Sequence, residues 1–179
     1  MAYKTLIIYS TVDGHTKKIS NYIAEKLEGN KVSTTVCNIS SVGSINLSDF
    51  DNVIVGASIR YGKYRKQLYD FLKINLDFLN DTKSAFFSVN VVARKEQKNT
   101  PETNPYTKNL FKKIQWQPVL IGVFAGKVNY PHYNFVNKMI IKFIMFITKG
   151  PTNTSQVYEF TNWELVDDFI DEFRKRSHP

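Results

Sequence analysis

The sequence predicts an α/β chain built as a doubly wound parallel sheet. Two observations carry that expectation. Short apolar runs alternate with longer stretches of helical period, which is how βαβ units read. The run Val53-Ile54-Val55-Gly56-Ala57 is also apolar on successive residues, as suits a strand covered on both faces. Residues 5–9 form the first strand, and 10–14 the turn after it. Ile19, Ile23 and Leu27 recur on one helical face, so the first helix ends near Gly29. Residues 31–39 alternate as a second strand, and 53–57 are the third. Leu68, Phe71, Leu72, Phe78 and Leu79 mark one helix. Residues 84–91 and 119–125 are the fourth and fifth strands. A last helix spans 162–174, with Trp163, Val166, Phe169, Ile170 and Phe173 inward. With no internal repeat and no linker rich in Pro, Gly or Ser, residues 1–179 read as one domain.

In sheets of this kind ligands bind beyond the carboxyl ends of the strands, at the topological switch point. The loops at 10–16, 58–62 and 90–94 are therefore the candidate site. One segment breaks the alternation: residues 127–156 form a long insertion between the fifth strand and the last helix. Stretches that long inside a domain are usually functional.

The 179 residues carry a formal net charge of +8, which points to anionic partners. Nucleic acid is not expected among them, because no recognition motif accompanies the charge. Cys37 is the single cysteine, so no intramolecular disulfide forms; it reads as a buried strand residue in a reducing compartment. No basic leader precedes Leu6-Ile7-Ile8-Tyr9, so no signal peptide and a cytoplasmic location are expected. The three histidines are scattered and no metal site is expected.

The first loop reads Ser10-Thr11-Val12-Asp13-Gly14-His15-Thr16. Its hydroxyls can donate to phosphate oxygens, and Gly14 lets the backbone come close. The following helix adds free N–H groups and its positive dipole end. The same Ser, Thr and Asp residues also suit plain helix capping, and Asp13, awkward beside a dianion, is the expected cap. Neither GxGxxG nor GxxxxGK[ST] is present, which removes dinucleotide and Walker readings.

Ser10-Thr11-x-Asp13-Gly14-x-Thr16 resembles the phosphate loop of flavodoxins, with Asp13 where Thr is usual and His15 where Gln is expected. Further stretches narrow the likeness: Gly56-Ala57-Ser58-Ile59-Arg60-Tyr61-Gly62, Ser88-Val89-Asn90-x-Val92-Ala93-Arg94-Lys95 and Thr100-Pro101-x-Thr103-Asn104. Gln115-Trp116-x-Pro118, Ala125-Gly126-x-x-x-Tyr130-Pro131-x-Tyr133 and Met139-Ile140-x-Lys142-x-Ile144-Met145 continue it. Together they resemble the flavodoxin-like, menaquinone-dependent protoporphyrinogen IX oxidases (dehydrogenases) of bacterial haem synthesis, from end to end and including the insertion. The resemblance implies a five-stranded sheet of order 2-1-3-4-5 and an FMN cofactor that carries the redox chemistry. It also implies protoporphyrinogen IX as substrate and a menaquinone or related quinone as acceptor. No side-chain nucleophile or base is assigned.

Under that resemblance, residues 10–16 hold the phosphate, with His15 either a donor to phosphate or ribityl oxygens or a surface helix residue. Ser58, Ile59, Arg60, Tyr61 and Gly62 form one wall of the flavin ring. Ser88, Asn90, Val91, Val92, Ala93 and Arg94 form the other and meet the pyrimidine edge. The two propionates of the substrate call for a basic, aromatic rim. Arg60, Arg94, Lys95, Lys127 and Tyr130 are the candidates, against the alternative of solvated surface charges.

Residues 135–147 hold ten apolar residues in thirteen, with Asn134, Lys138 and Lys142 as a polar stripe. A helix there is about 20 Å long, short of the roughly 30 Å of a bilayer core. Three placements remain open: flat in the headgroup region of a membrane, packed on the protein, or at a homo-oligomer interface. The first would make the protein peripheral on the cytoplasmic face of the cell membrane.

Overall fold

Leu6, Ile7 and Ile8 are all fully buried in β1 (Tyr3–Ser10), yet they face opposite ways. Leu6 and Ile8 join Val53, Val55 and Phe86 in one apolar cluster, while Ile7 joins Ile54, Ala85 and Phe87 in another. The split is the period of two along a strand. It occurs in a computed structural model that describes residues 3–28 and 32–177. The expected helix end at Gly29 and strand start at Lys31 lie outside the described residues.

Helices cover both faces. On the first lie α2 (Lys66–Ile74), α3 (Leu76–Asp81) and α4 (Pro105–Lys113), which bring Leu68, Leu72, Leu79 and Leu110. On the second lie α1 (His15–Glu28) and α6 (Trp163–Ser177), which bring Ile19, Ile23, Val166, Phe169 and Phe173. Between them runs a five-stranded sheet of β1 with β2 (Val32–Asn38), β3 (Asn52–Ser58), β4 (Lys83–Val89) and β5 (Leu120–Phe124). Its order is β2-β1-β3-β4-β5, and every pairing is parallel. From β1 the chain crosses to β2 on one side, and β3 then lies on the other. The switch point falls there, and the connections after β1 and β3 part to leave a crevice. Gly56 marks a close approach in β3: a Cβ there would stand 2.1 Å from Phe87 Cζ.

Several boundaries differ from expectation. The single helix expected around Leu68–Leu79 breaks at Asn75, whose Nδ2 donates to Phe71 O at 2.8 Å beside its own backbone N–H. A side-chain amide competing for a helix carbonyl ends the α2 ladder. β4 stops at Val89, two residues early, because Asn90 Oδ1 accepts from Ala93 N–H at 3.1 Å and folds the next residues into a 3-10 turn. Cys37 is half-buried, and burial pushes its thiol up to about 11, so it stays protonated.

The insertion carries a small sheet that the sequence reading lacks. β6 (Lys127–Asn129) pairs antiparallel with β7 (Val157–Glu159), closing the segment at its base. Above this clamp runs α5 (Phe135–Ile147), capped by Asn134 Oδ1, which accepts from Asn137 N–H at 2.9 Å. Val128, Tyr130, Tyr133 and Met145 form its own small core. Only a narrow strip of α5, Ile141 and Met145, packs on that core. Phe135, Val136, Met139, Phe143, Phe146 and Ile147 are exposed, Phe135 at 78% and Phe146 at 73%. No helix among the described residues is long and apolar enough to cross a membrane.

Candidate functional site

The loop after β1 folds around Thr11, whose Oγ1 accepts from Gly14 N–H at 3.0 Å. Gly14 takes φ +79, a left-handed conformation that a side chain would disfavour. The cap expected of Asp13 is corrected: its carboxylate accepts from Arg60 Nη1 at 2.7 Å and from Tyr133 OH at 3.3 Å. A guanidinium across the crevice outcompetes neutral backbone N–H groups for a carboxylate. Burial pushes the Tyr133 phenol above its ordinary value, so it keeps the proton it donates.

Two hydroxyls in this loop stand out. Ser10 and Thr16 are 2% and 0% exposed, and within the described residues neither Ser10 Oγ nor Thr16 Oγ1 has a hydrogen-bond partner. A buried hydroxyl without a partner costs about 1–3 kcal/mol; Ser20 Oγ, one turn further along α1, shares that state, but Ser10 and Thr16 flank the loop that would hold a ligand oxygen. Thr16 lies in the first turn of α1, where the helix dipole favours an anion, and Ser10 ends β1 at the head of the loop that leads into it. The donor set therefore fits a phosphate group.

His15 is nearly buried, with Nε2 2.6 Å from Thr161 Oγ1. Thr161 spends its own proton on Ala125 O at 2.8 Å, so the histidine donates through Nε2. That nitrogen joins the start of α1 to the segment before α6, and the residue also borders a small cavity at this loop. Burial lowers its pKa below 6.5, and Lys18 and Lys127 add to this while Glu159 opposes it. The unfolded chain thus takes up this proton near pH 6.5, and the native protein only at lower pH. Stability from this group is full above 6.5 and is lost as pH falls through the native value. Between about pH 8 and pH 5 the urea midpoint of the wild type is expected to fall further than that of His15→Gln. Equal declines would remove His15 from the acid response.

The loop after β3 closes as a two-residue hairpin turn. Arg60 and Lys63 exchange backbone hydrogen bonds of 3.0 and 3.2 Å, with Tyr61 at φ 49 and Gly62 at φ 78. Positive φ at both central positions is the type I′ geometry, natural for Gly62 and strained for Tyr61. The Tyr61 hydroxyl donates to Asn137 Oδ1 of α5, and the Arg60 guanidinium lies 4.9 Å from its ring. Arg60 also lies 5.1 Å from the Tyr133 ring.

These loops line two neighbouring cavities. The smaller, about 50 Å³, is bounded by Thr11–Asp13, His15, Thr16, Ser58 and Gly126. The larger, about 120 Å³, is bounded by Tyr61, Gly62, Val92, Tyr106 and Tyr133, with Ile141, Ile144 and Met145 of α5. Asp13, Ile59, Arg60, Asn90, Val91 and Lys127 border both. Thus residues 11–13, 15–16, 58–62 and 90–92 meet in one crevice, while Ser10, Gly14 and Ser88 line neither cavity. Ala93 is buried behind it, and Lys95 is exposed outside it.

Two rim candidates are placed elsewhere. Arg94 donates to Val91 O, Thr148 O and Thr148 Oγ1 at 2.8–2.9 Å, bracing the end of α5. Tyr130 is fully buried and donates to Pro151 O at 2.9 Å. Both hold the insertion in place, so of the five candidates Arg60 and Lys127 border the crevice. Sequence reasoning missed Tyr106, Asn137 and the inner face of α5. A period of four along α5 signalled a helix, but not which strip faces inward.

The family of flavodoxin domains matches residues 6–155. A protoporphyrinogen IX dehydrogenase (quinone) of Leishmania major is 43% identical over 171 residues, 95% of this chain and 74% of that protein. The protein of the same name from Escherichia coli K12 is 40% identical over 169 residues, 94% of this chain and 93% of that one. Among solved structures, a flavodoxin from the domain Archaea aligns with TM-score 0.54 at 16% identity, covering 98% of this chain and 99% of that one. The two-electron reduced flavodoxin of Megasphaera elsdenii aligns with TM-score 0.51 at 11% identity, over 66% and 84%. These two speak for the fold, and the expected strand order 2-1-3-4-5 is the observed one. The sheet, the crevice at its switch point and the end-to-end identity agree: the chain belongs to the flavodoxin-domain family of the quinone-dependent protoporphyrinogen IX dehydrogenases.

Proposed function

We propose that this one-domain protein binds FMN and oxidises protoporphyrinogen IX to protoporphyrin IX, with menaquinone or a related quinone as acceptor, as a step of haem synthesis. The observation that carries the reading is a pair of buried hydroxyls without partners among the described residues, Ser10 Oγ at the end of β1 and Thr16 Oγ1 at the start of α1. They suit the phosphate of a flavin mononucleotide, with Thr11 and the Gly14 backbone beside them. Tyr61 and Ile59 on one side, and Val91 and Val92 on the other, suit the two sides of a flat apolar ring. Bound FMN supplies two-electron transfer chemistry, and the protein orients it and excludes water. Removing six electrons and six protons from the macrocycle takes three such rounds and converts three quinones to three quinols. Arg60 and Lys127 supply the positive charge that two propionates need.

The test is anaerobic stopped-flow absorbance of the FMN-loaded protein mixed with protoporphyrinogen IX. Bleaching of the flavin band with rising porphyrin fluorescence, then reoxidation on adding a menaquinone analogue, supports the reading. Flavin that stays oxidised with the porphyrinogen yet accepts electrons from another donor overturns it in favour of a different quinone reductase or a carrier.

The exposed face of α5 supports a peripheral place on the cell membrane. Its aromatic and aliphatic side chains stand in solvent beside Lys138 and Lys142, a composition suited to anionic headgroups. Phe143→Asp with Phe146→Asp is expected to cut binding to vesicles containing anionic lipid at least tenfold, read by co-sedimentation. Unchanged vesicle binding, or a dimer lost in the double variant by analytical ultracentrifugation, would reassign this face to the protein or to a second subunit.

A further inference from the structure

The stretch Thr100-Pro101-Glu102-Thr103-Asn104 lines neither cavity, yet it reaches the crevice through one side chain. Asn104 is fully buried. Its Oδ1 accepts from the N–H groups of Tyr106 and Thr107 at 3.2 and 3.3 Å, capping α4. Its Nδ2 turns the other way and donates to Lys98 O at 2.8 Å and to Asn90 Oδ1 at 3.1 Å. Thr100 sets up this corner by accepting from Asn104 N–H at 2.9 Å through its carbonyl.

Asn90 is itself 3% exposed and sits at the head of the loop that borders the crevice. Its Oδ1 also receives Ala93 N–H, and its Nδ2 donates to Ser88 Oγ at 3.1 Å. Tyr64 OH donates to the same Ser88 oxygen at 2.7 Å, and burial pushes that phenol up to about 12, so it keeps its proton. The amide of Asn90 therefore has one permitted orientation. A flip would set two amide NH₂ groups against each other and take the acceptor away from Ala93 N–H. The cap of α4 and the 3-10 turn that carries Val91 and Val92 are thereby joined through two buried amides.

We propose that Asn104 is a positioning residue for the flavin ring: through Asn90 it fixes the backbone of Val91 and Val92 against the cofactor. The inference rests on the FMN reading above. It assigns to the Thr100–Asn104 motif a task that capping alone does not require, since Ser or Asp caps a helix as well as Asn.

Asn104→Ser separates the two tasks. The short hydroxyl still accepts from the first turn of α4, but it cannot reach Asn90. In Asn104→Ser the dissociation constants for FMN and for riboflavin are both expected to rise about tenfold, the size of one buried hydrogen bond to a positioning group. Riboflavin lacks the phosphate, so an equal factor for both ligands places the effect at the ring. The visible flavin band and the midpoint potential of the bound cofactor are expected to shift as well. Asn80→Ala, which breaks side-chain contacts to the Gln115 and Gln117 backbone far from the crevice, serves as a control that lowers stability without moving affinity or potential. Wild-type affinity, spectrum and potential in Asn104→Ser would overturn the proposal and leave Asn104 as a helix cap only. A wild-type protein that binds neither FMN nor riboflavin would overturn the flavin reading itself, and this inference with it.

Discussion

Ser10→Ala combined with Thr16→Val is expected to weaken FMN binding by about two to four orders of magnitude, without weakening the cofactor-free fold. The magnitude follows from two hydrogen bonds to a charged phosphate, each about 1.5–3 kcal/mol. The absence of a stability cost follows from burial: among the described residues neither hydroxyl has a partner, so apolar replacements of similar shape remove an unsatisfied group. The two effects thus have opposite signs. Fluorescence titration with FMN and thermal denaturation of the apoprotein read them separately, and riboflavin affinity is expected to stay near wild type. An unchanged FMN dissociation constant would remove these hydroxyls from the phosphate site. It would leave their burial without a ligand to account for it.

Gly56→Ala is expected to destabilise the protein by about 3 kcal/mol or more, the upper range for overpacking a well-filled core. The new Cβ would stand 2.1–2.6 Å from three atoms of the Phe87 ring. That ring has little room to move, because Phe124 and Phe169 lie 5.7 and 6.2 Å away, centroid to centroid. Phe87→Leu alone is expected to cost roughly 1–3 kcal/mol through lost packing. The double variant is expected to be more stable than the sum of the two by at least about 1 kcal/mol, because the shorter side chain vacates the contested space. Urea unfolding of all four proteins measures the coupling. Simple additivity would mean that the backbone yields at Gly56 instead of the ring. Because Gly56 precedes Ser58 and the crevice turn, such a shift would also appear as weaker flavin binding.

How much of this was legible beforehand depends on the length scale of the signal. The strands at Leu6–Ile8 and Val53–Val55 were readable because unbroken apolar runs admit little else in an α/β alternation. The loops at the switch point follow from that topology, and the stretch at Ser10–Thr16 is distinguished by its hydroxyl-rich composition. What stayed hidden was side-chain partnership across long separations. Asp13 has every local qualification to cap α1, but Arg60, 47 positions later, takes its carboxylate. Arg94 and Tyr130 looked like a basic, aromatic rim, and instead they are tied to Thr148 and Pro151 beneath α5. The β6–β7 pairing was invisible because three residues on each side are too few to show a period.

That short pairing has a consequence for the span of the insertion. Because β6 and β7 meet at the foot of the insertion, everything between Asn129 and Val157 forms a loop closed on itself. The entropy of closing such a loop grows only with the logarithm of its length, about 0.6 kcal/mol for each doubling. A turn of α5 gained or lost therefore changes the closure cost by a small fraction of that amount, and the β5-to-α6 connection keeps its span. The freedom belongs to the outward face of the helix, since its inner strip lines the crevice at Ile141, Ile144 and Met145 and is tied to Tyr61 and Arg94.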